Sequence, residues 1–254
     1  MRTFFQPIVD LRTGALHGLE ALARWPAGER HVAPCEFIPV AEEAGLIRQL
    51  GTLILRDACQ TLADWRLRAV VERDVAVSVN VTVRQITDEG LVEDVRAALS
   101  AAGLPPENLV LEITESTMIE NPQLVSAVLC ELLALGVGLH LDDFGTGYSS
   151  LTVLHDFAGD ALKIDRAFVD TMIERAKSEA IIRSIIGLAH SLELRVIAEG
   201  IENAEQLNAL TALGCEYGQG YFFSRPLSAG GFEALLAEHH LPGGAPFIAS
   251  LPSR

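Results

Sequence analysis

Short apolar runs with a strand pattern alternate along this chain with longer segments whose apolar residues recur at helical spacing. Alternation of this kind indicates parallel strands joined by helical crossovers. Predicted helices cover residues 47–67, 91–101, 124–135, 180–191 and 204–213. Predicted strands cover residues 3–10, 16–24, 75–80, 109–114, 138–142, 161–164 and 194–198, with a short piece near Tyr217. About eight strands in a chain of this length favour a closed barrel over an open sheet.

The first two predicted strands depart from this alternation. The connection between them contains little more than the run LRTG, which starts at Leu11 and is too short for a crossover helix. The two strands should therefore pair as an antiparallel hairpin. The sequence predicts an α/β fold, a TIM-like (β/α)8 barrel with an antiparallel first strand. We expect the barrel to cover residues 1–240 and residues 241–254 to form a loosely attached C-terminal tail.

Charge and composition narrow the classes of partner. The formal net charge is −15, which argues against binding to DNA or RNA, because a nucleic-acid polymer normally needs a basic surface. Hydrophobic residues make up 49% of the chain, enough for a large core, yet no apolar run approaches the length of a membrane span. The cysteines form no C-x-x-C pair and are expected to be free thiols. These features predict a cytoplasmic protein without a membrane segment.

Polar residues stand at the carboxyl ends of the predicted strands, where barrels of this type form their active sites. In VAVSVN the valines occupy one face and Asn80 the other, and LVLEIT places Glu112 opposite its leucines. Each acid taken alone would more often be a solvated turn residue, so the prediction depends on their joint placement. The residues predicted to share one site are Glu20, Asn80, Glu112, Asp142, Asp143, Lys163 and Glu199.

Two adjacent acids close the apolar run GLHLDD. Because side chains alternate along a strand, Asp142 would share a face with His140, and Asp143 would point to the opposite face. A buried carboxylate on each face would be costly without partners. We therefore expect the strand to end at Asp142, so that both carboxylates turn toward one site.

Five carboxylates in one cleft repel one another unless cations neutralise them. Oxygen ligands of this kind suit hard ions such as Mg²⁺ or Mn²⁺. Asp142 and Asp143 are placed to hold two ions, and two-ion sites assist displacement at phosphorus. A small phosphorylated ligand held through metal ions is therefore compatible with the acidic charge of the chain.

Simpler roles stay open for several of these residues. Asn80 could bond a local turn, and Arg24 could pack its stem against Trp25. The run GTGYSS lacks the complete G-x-G-x-x-G pattern and the Walker lysine, so it indicates a turn rather than a phosphate loop. The sequence contains no H-E-x-x-H pair for zinc and no G-x-S-x-G elbow for a serine hydrolase.

Several short motifs follow one another from the N-terminal FFQPIVDL to the last motif and cover nearly the whole chain. They read GLEALARW, FIPVAEEAGLI, SVNVT, LEITES, DDFGTGYSSL, LKID, AEGIE and GQGYFFSRPL. This ordered set resembles the EAL-domain family of cyclic di-GMP phosphodiesterases. The resemblance implies a TIM-like barrel whose first strand is antiparallel, in agreement with the strand order.

The resemblance implies metal ligands at the matching positions. Asp143, with a bridging Asp142, is expected to hold the second of two ions, and Glu199 is expected among the ligands as the glutamate that organises water. Two Mg²⁺ or Mn²⁺ ions are therefore expected, with Ca²⁺ inhibitory. The ligands implied for the first ion are Glu20, Asn80, Glu112 and Asp142.

The same resemblance implies catalytic and substrate-binding residues. Lys163 is similar to the lysine that contacts the attacking water, and Glu199 to the glutamate that acts with it. Glu115 resembles a glutamate that holds the DDFGTGYSSL loop in its metal-binding shape. The residues implied to bind substrate are Gln6, Arg24, Asp165 and Gln219.

The implied activity is metal-dependent hydrolysis of cyclic di-GMP to linear 5′-pGpG, which lowers a bacterial second messenger. The main alternative is a catalytically silent cyclic di-GMP receptor that acts through protein contacts. Such receptors usually lack acids of the metal set, and this sequence lacks none. A purely structural barrel would leave the acid cluster unexplained. The resemblance also implies a homodimer, and it leaves open whether sensor or GGDEF modules flank the domain in a longer protein.

Overall fold

Eight strands close into a barrel in the computed structural model, which describes residues 1–27, 30–88, 90–145, 154 and 157–239. The strands are β1 (Arg2–Asp10), β2 (Leu16–Ala27), β3 (Arg30–Val32), β4 (Ala76–Asn80), β5 (Leu109–Thr114), β6 (Gly138–Phe144), β7 (Ala161–Ile164), β8 (Arg195–Ala198), β9 (Tyr217–Gly218) and β10 (Leu227–Ser228). Around the ring the order is β1, β2, β4, β5, β6, β7, β8 and β9, and β9 pairs again with β1. The predicted TIM-like barrel is confirmed.

The first strand runs against its neighbours. β1 is antiparallel to both β2 and β9, whereas the remaining neighbours in the ring are parallel. The turn between β1 and β2 is tight because the carboxylate of Asp10 accepts hydrogen bonds from the backbone N–H groups of Arg12 and Thr13, at 3.0 and 2.7 Å. Gly14 supplies the positive φ of 74° that this turn requires. The predicted antiparallel first strand is therefore confirmed.

Helices surround the ring. They are α1 (Pro34–Glu43), α2 (Ile47–Leu67), α3 (Val83–Thr87), α4 (Leu91–Ala102), α5 (Glu115–Glu120), α6 (Pro122–Leu135), α7 (Arg166–Val169), α8 (Ala176–Ser191), α9 (Ala204–Ala212) and α10 (Ala229–His239). The five predicted helices correspond to α2, α4, α6, α8 and α9. Most of the others are too short to show an apolar period. In the described ranges, no helix has the length and apolar character that crossing a bilayer requires.

Aromatic packing covers the outer face of β1, which no crossover helix follows. Phe5 of β1 packs edge-on against Trp65 of α2, with ring centroids 4.9 Å apart. Trp65 also contacts Phe232 of α10 at 5.3 Å, and its indole N–H donates a hydrogen bond of 2.8 Å to Glu233. The C-terminal helix thus takes the position that a first crossover helix would otherwise fill.

Two strands extend beyond their predicted ends. β6 continues to Phe144, so the prediction that it ends at Asp142 is wrong. β2 continues to Ala27 along β1 and β3, while its parallel pairing with β4 ends at Ala21. Glu20 therefore lies inside β2 but close to the end of its pairing with β4.

The predicted tail, residues 241–254, lies outside the described residues, and the proposed boundary at residue 240 stays a prediction.

The turn after β9 lies against the segment after β8. The backbone N–H of Ile201 donates to the carbonyl of Gln219, and the N–H of Phe222 donates to the carbonyl of Ile201, at 3.0 and 2.9 Å. Gly220 lies between these bonds, and a β-carbon on it would overlap the backbone N and O atoms of Ile201. Only glycine allows this approach without backbone movement.

Replacing Gly220 by alanine should therefore destabilise the barrel and displace Gln219. Overpacking typically costs about 1–3 kcal/mol, and here the overlapping atoms belong to the backbone and cannot rotate away. Gly187→Ala is the matched control, because Gly187 lies within α8 and an added β-carbon there meets nothing within 4 Å. Thermal unfolding of both variants measures the difference. Equal melting temperatures would show that the turn adapts.

Candidate active site

Polar side chains from most of the ring converge at the carboxyl end of the parallel strands. They surround a cleft of about 240 Å³ whose lining includes Gln6 of β1, Asp142 of β6 and Gln219 after β9. The side chains that the structure brings together are Gln6, Glu20, Asn80, Glu112, Asp142, Asp143, Lys163, Glu199 and Gln219. The predicted constellation is therefore one spatial cluster.

Lys163 lies at the centre of the cluster and is fully buried. Its ammonium nitrogen is 2.6 Å from Glu199 and 2.7 Å from Glu112, and it is 3.5 Å from Asp142 and 3.6 Å from Glu20. Burial alone would lower the pKa of Lys163, but the four carboxylates outweigh it and raise this pKa well above its usual value. Lys163 is thus a permanent buried cation.

A β-bulge explains the two adjacent acids. Leu141 pairs with Leu162 and Phe144 pairs with Ile164, so Asp142 and Asp143 together stand opposite Lys163 alone. Asp143 has a φ of 54°, a left-handed conformation that aspartate tolerates better than most residues. The extra residue breaks the alternation of side chains. Both carboxylates can therefore serve one site, although the strand does not end.

Three acids at the bulge form a group with the spacing of a cation site. One carboxylate oxygen from each of Asp142, Asp143 and Glu199 lies within 4.8 Å of the other two. Asp142 is buried, Glu199 is half-buried and Asp143 is exposed. The group thus opens from the barrel interior toward solvent, as a site for an entering ion requires.

Amide side chains hold the second part of the cluster. The Asn80 amide donates to Glu20 Oε1 at 2.7 Å, and the Gln219 amide donates to Glu20 Oε2 at 2.6 Å. Gln219 also donates to Gln6 Oε1 at 2.9 Å. Burial would raise the pKa of Glu20, but Lys163 and these amides lower it below its usual value. Glu20 is therefore fixed as a carboxylate.

If all of them were ionised, the acids of the cluster would carry more negative charge than Lys163 can balance. Burial raises the pKa of Glu112 and of Glu199 to about 8, against the attraction of Lys163. Asp143 is exposed as a whole residue, but neighbouring groups partly desolvate its carboxyl, and this effect together with the charges of Asp142 and Asp165 raises its pKa to about 6. In addition, Oε1 of Glu112 is buried without a hydrogen-bond partner among the described residues. Acids that resist ionisation without further positive charge, and a buried unpaired oxygen, both fit a site for a hard divalent cation.

Other predicted residues lie around the cluster. Arg24 is half-buried and donates to the carbonyl of Ala23 at 2.9 Å. Asp165 caps α7 by accepting a 2.8 Å hydrogen bond from the N–H of Ala167. Glu115 is buried at the first position of α5. Most of the loop that Glu115 is predicted to hold, residues 146–153, lies outside the described residues.

The rim of the cleft also contains residues that sequence reasoning did not select. Tyr221 is exposed, with the guanidinium of Arg225 at 4.4 Å and that of Arg166 at 6.0 Å from its ring centroid. Arg166 pairs with Glu202, another residue of the cleft lining, at 2.8 Å. Tyr221 and Arg225 belong to the motif GQGYFFSRPL, and Glu202 belongs to AEGIE, so the motifs could have drawn attention to them. The periodicity of strands and helices could not, because each is a single residue at the rim.

Comparison with known proteins identifies relatives. The family model for the EAL domain matches residues 1–226. The bifunctional diguanylate cyclase/cyclic di-GMP phosphodiesterase MucR of Pseudomonas aeruginosa is 39% identical over 234 residues, 92% of this chain and 33% of that protein. The cyclic di-GMP phosphodiesterase PdeR of Escherichia coli is 38% identical over 230 residues, 90% of this chain and 34% of that protein. The chain thus spans about a third of the length of these curated relatives.

A solved structure extends the comparison to three dimensions. The MucR phosphodiesterase in complex with c-di-GMP superposes with a TM-score of 0.85 at 38% sequence identity, covering 90% of this chain and 92% of that chain. The sequence match and the shared barrel therefore agree. Because the EAL-domain model matches 226 of its 254 residues, this chain belongs to the EAL domain family.

Proposed function

We propose that this chain hydrolyses one phosphodiester bond of cyclic di-GMP to give linear 5′-pGpG, in a reaction that depends on Mg²⁺ or Mn²⁺. The supporting observation is the buried Lys163 within a complete set of acids. A protein that only binds its ligand needs affinity alone. Burying a lysine and several carboxylates lowers the stability of the fold, so a binding role alone does not account for this arrangement. The names of MucR and PdeR, which include cyclic di-GMP phosphodiesterase, agree with this substrate.

The proposed mechanism assigns each group of residues one task. Glu20, Asn80, Glu112, Asp142 and Asp143 would hold the divalent ions, with Glu199 beside them. When bound, such ions lower the pKa of water and stabilise charge on the phosphate and on the leaving oxygen. Lys163 and Glu199, joined at 2.6 Å, hold the attacking water, and Lys163 stabilises the negative charge that develops on the phosphate. As the new P–O bond forms, the water gives up a proton, and the 3′ oxygen leaves on the opposite side and takes up a proton to become the 3′ hydroxyl of the linear product.

The cleft offers matching groups for the rest of the ligand. Arg24 is proposed to bind a phosphate, and Gln6, Gln219 and Asp165 to contact the substrate. The guanidinium groups at the rim add positive charge near a mouth that is otherwise acidic, and the exposed ring of Tyr221 offers an apolar face. Cations and an aromatic surface suit an anionic nucleotide better than a neutral ligand.

Four further assignments stay proposals. Glu115 is proposed to hold the loop after Asp143 in its metal-binding shape, as a positioning residue rather than a ligand. Homodimerisation through this loop is proposed from the family resemblance alone, and a cytoplasmic location is proposed from the composition and the cysteine pattern of the sequence. Ca²⁺ is proposed to occupy the site and support ligand binding with little turnover.

Product analysis tests the proposed function directly. The purified chain is incubated with cyclic di-GMP and Mg²⁺, Mn²⁺, Ca²⁺ or a chelator, and nucleotides are separated by chromatography. We expect pGpG with Mg²⁺ or Mn²⁺ and almost none with Ca²⁺ or chelator. Tight cyclic di-GMP binding without product under all four conditions would instead identify a receptor.

Replacing either acid of the bulge by asparagine should weaken metal binding. Asp142→Asn and Asp143→Asn keep the shape of the side chain, and asparagine tolerates the left-handed backbone at residue 143, so each change mainly removes one charge. We expect Mn²⁺ affinity to fall at least about 10-fold by calorimetry. Asp74→Asn, at an exposed position near the opposite end of the barrel, is the control. Unchanged affinity in both variants would remove the pair from the ligand set.

Lys163→Met should separate binding from catalysis. Methionine keeps the length of the stem but cannot orient water or balance charge on the phosphate. We expect cyclic di-GMP affinity in Ca²⁺ to stay within a few-fold, and pGpG formation with Mg²⁺ to fall by about 10²–10⁴. Lys177→Met is the matched control, because Lys177 is exposed on α8. Normal turnover by a folded Lys163→Met protein would show that the lysine is not catalytic.

A further inference from the structure

Two buried polar atoms face each other below Lys163, inside the barrel. Oε1 of Glu112 and Nδ1 of His140 are 3.8 Å apart, and neither has a hydrogen-bond partner among the described residues. Glu112 is 1% exposed and His140 is 8% exposed. A buried polar atom that is left unpaired destabilises the folded state, because it has lost its hydrogen bonds to water. Two such atoms at this separation therefore form a natural pair.

The barrel itself sets this approach. Glu112 of β5 and His140 of β6 are direct partners in the parallel register. The other oxygen of Glu112, Oε2, accepts a 2.7 Å hydrogen bond from Lys163. Lys163 therefore holds one oxygen of the Glu112 carboxylate, and the other oxygen lies 3.8 Å from Nδ1 of His140. A hydrogen bond needs an N···O distance of about 3.2 Å or less, so the contact would have to shorten by about 0.6 Å, within the reach of a side-chain rotation.

His140 also borders a second space. It lines a cavity of about 540 Å³ at the amino-terminal end of the barrel, together with His17 and Asp160. The imidazole thus separates this cavity from the acid cluster. Because the space beneath it is open, the ring is not held in place by packing from that side.

We propose that His140 is a positioning residue for Glu112: its Nδ1–H group donates to Oε1 and fixes the carboxylate in the orientation in which it binds a divalent cation. An oxygen of a carboxylate has two lone pairs, so Oε1 can accept this bond and still bind an ion. This role is not required for the fold, and its metal-binding consequence rests on the proposed function.

Two substitutions distinguish positioning from space filling. His140→Asn keeps an N–H group at the place of Nδ1, whereas His140→Leu keeps much of the volume of the ring without a donor. If His140 holds Glu112, Mn²⁺ affinity measured by calorimetry should fall about 10–100-fold in His140→Leu, the usual effect of losing such a bond. In His140→Asn it should stay within a few-fold of the wild type.

Melting temperature in a chelator controls for folding, since it reports the barrel without its cation. If His140→Leu does not fold, His140→Ala replaces it, because the shorter side chain only enlarges the existing cavity. Equal Mn²⁺ affinity in the wild type and the donor-free variant would overturn the positioning role. A folded wild type that binds no Mn²⁺ would overturn both this role and the metal-dependent function. A wild type that binds Mn²⁺ but yields no pGpG would overturn only the proposed hydrolysis.

Discussion

The buried ammonium group of Lys163 is the interaction on which the rest of the site depends. It contacts carboxylates from β2, β5 and β6 and from the segment after β8, so these parts of the ring share one charge centre. Removing the lysine would leave several carboxylates without a cation in a low-dielectric interior. The positions of the acids are therefore coupled to one another through Lys163.

Much of this arrangement was predictable from the sequence because it follows from the periodicity of side chains along strands and helices. Alternation places Glu112 on the inner face of β5, and the short LRTG turn forces an antiparallel hairpin. Inner faces of parallel strands meet at their carboxyl ends, so Asn80 and Glu112 could be placed in one site before any contact was known. The order of the motifs indicated the family, and the family resemblance implied the roles of individual residues.

What the sequence did not reveal depends on local irregularity. The alternation of side chains along a strand does not predict the bulge at Asp142 and Asp143, because an Asp-Asp pair is equally compatible with the end of a strand. His140 reads as an inward barrel residue, but nothing in its neighbours indicates that its partner is Glu112, because that pairing is set by the register between β5 and β6. Helices of one or two turns, such as α3 and α7, are too brief for an apolar period.

The antiparallel first strand has a mechanical consequence. In a barrel with all strands parallel, the chain would enter at the end remote from the active site. Here Arg2 pairs with Arg24, so the chain enters at the active-site end and runs inward past Gln6. Gln6 bonds to Gln219, which in turn bonds to Glu20. The first strand is thus tied to an acid of the site by two side-chain hydrogen bonds, so the position of β1 and the position of the Glu20 carboxylate depend on each other.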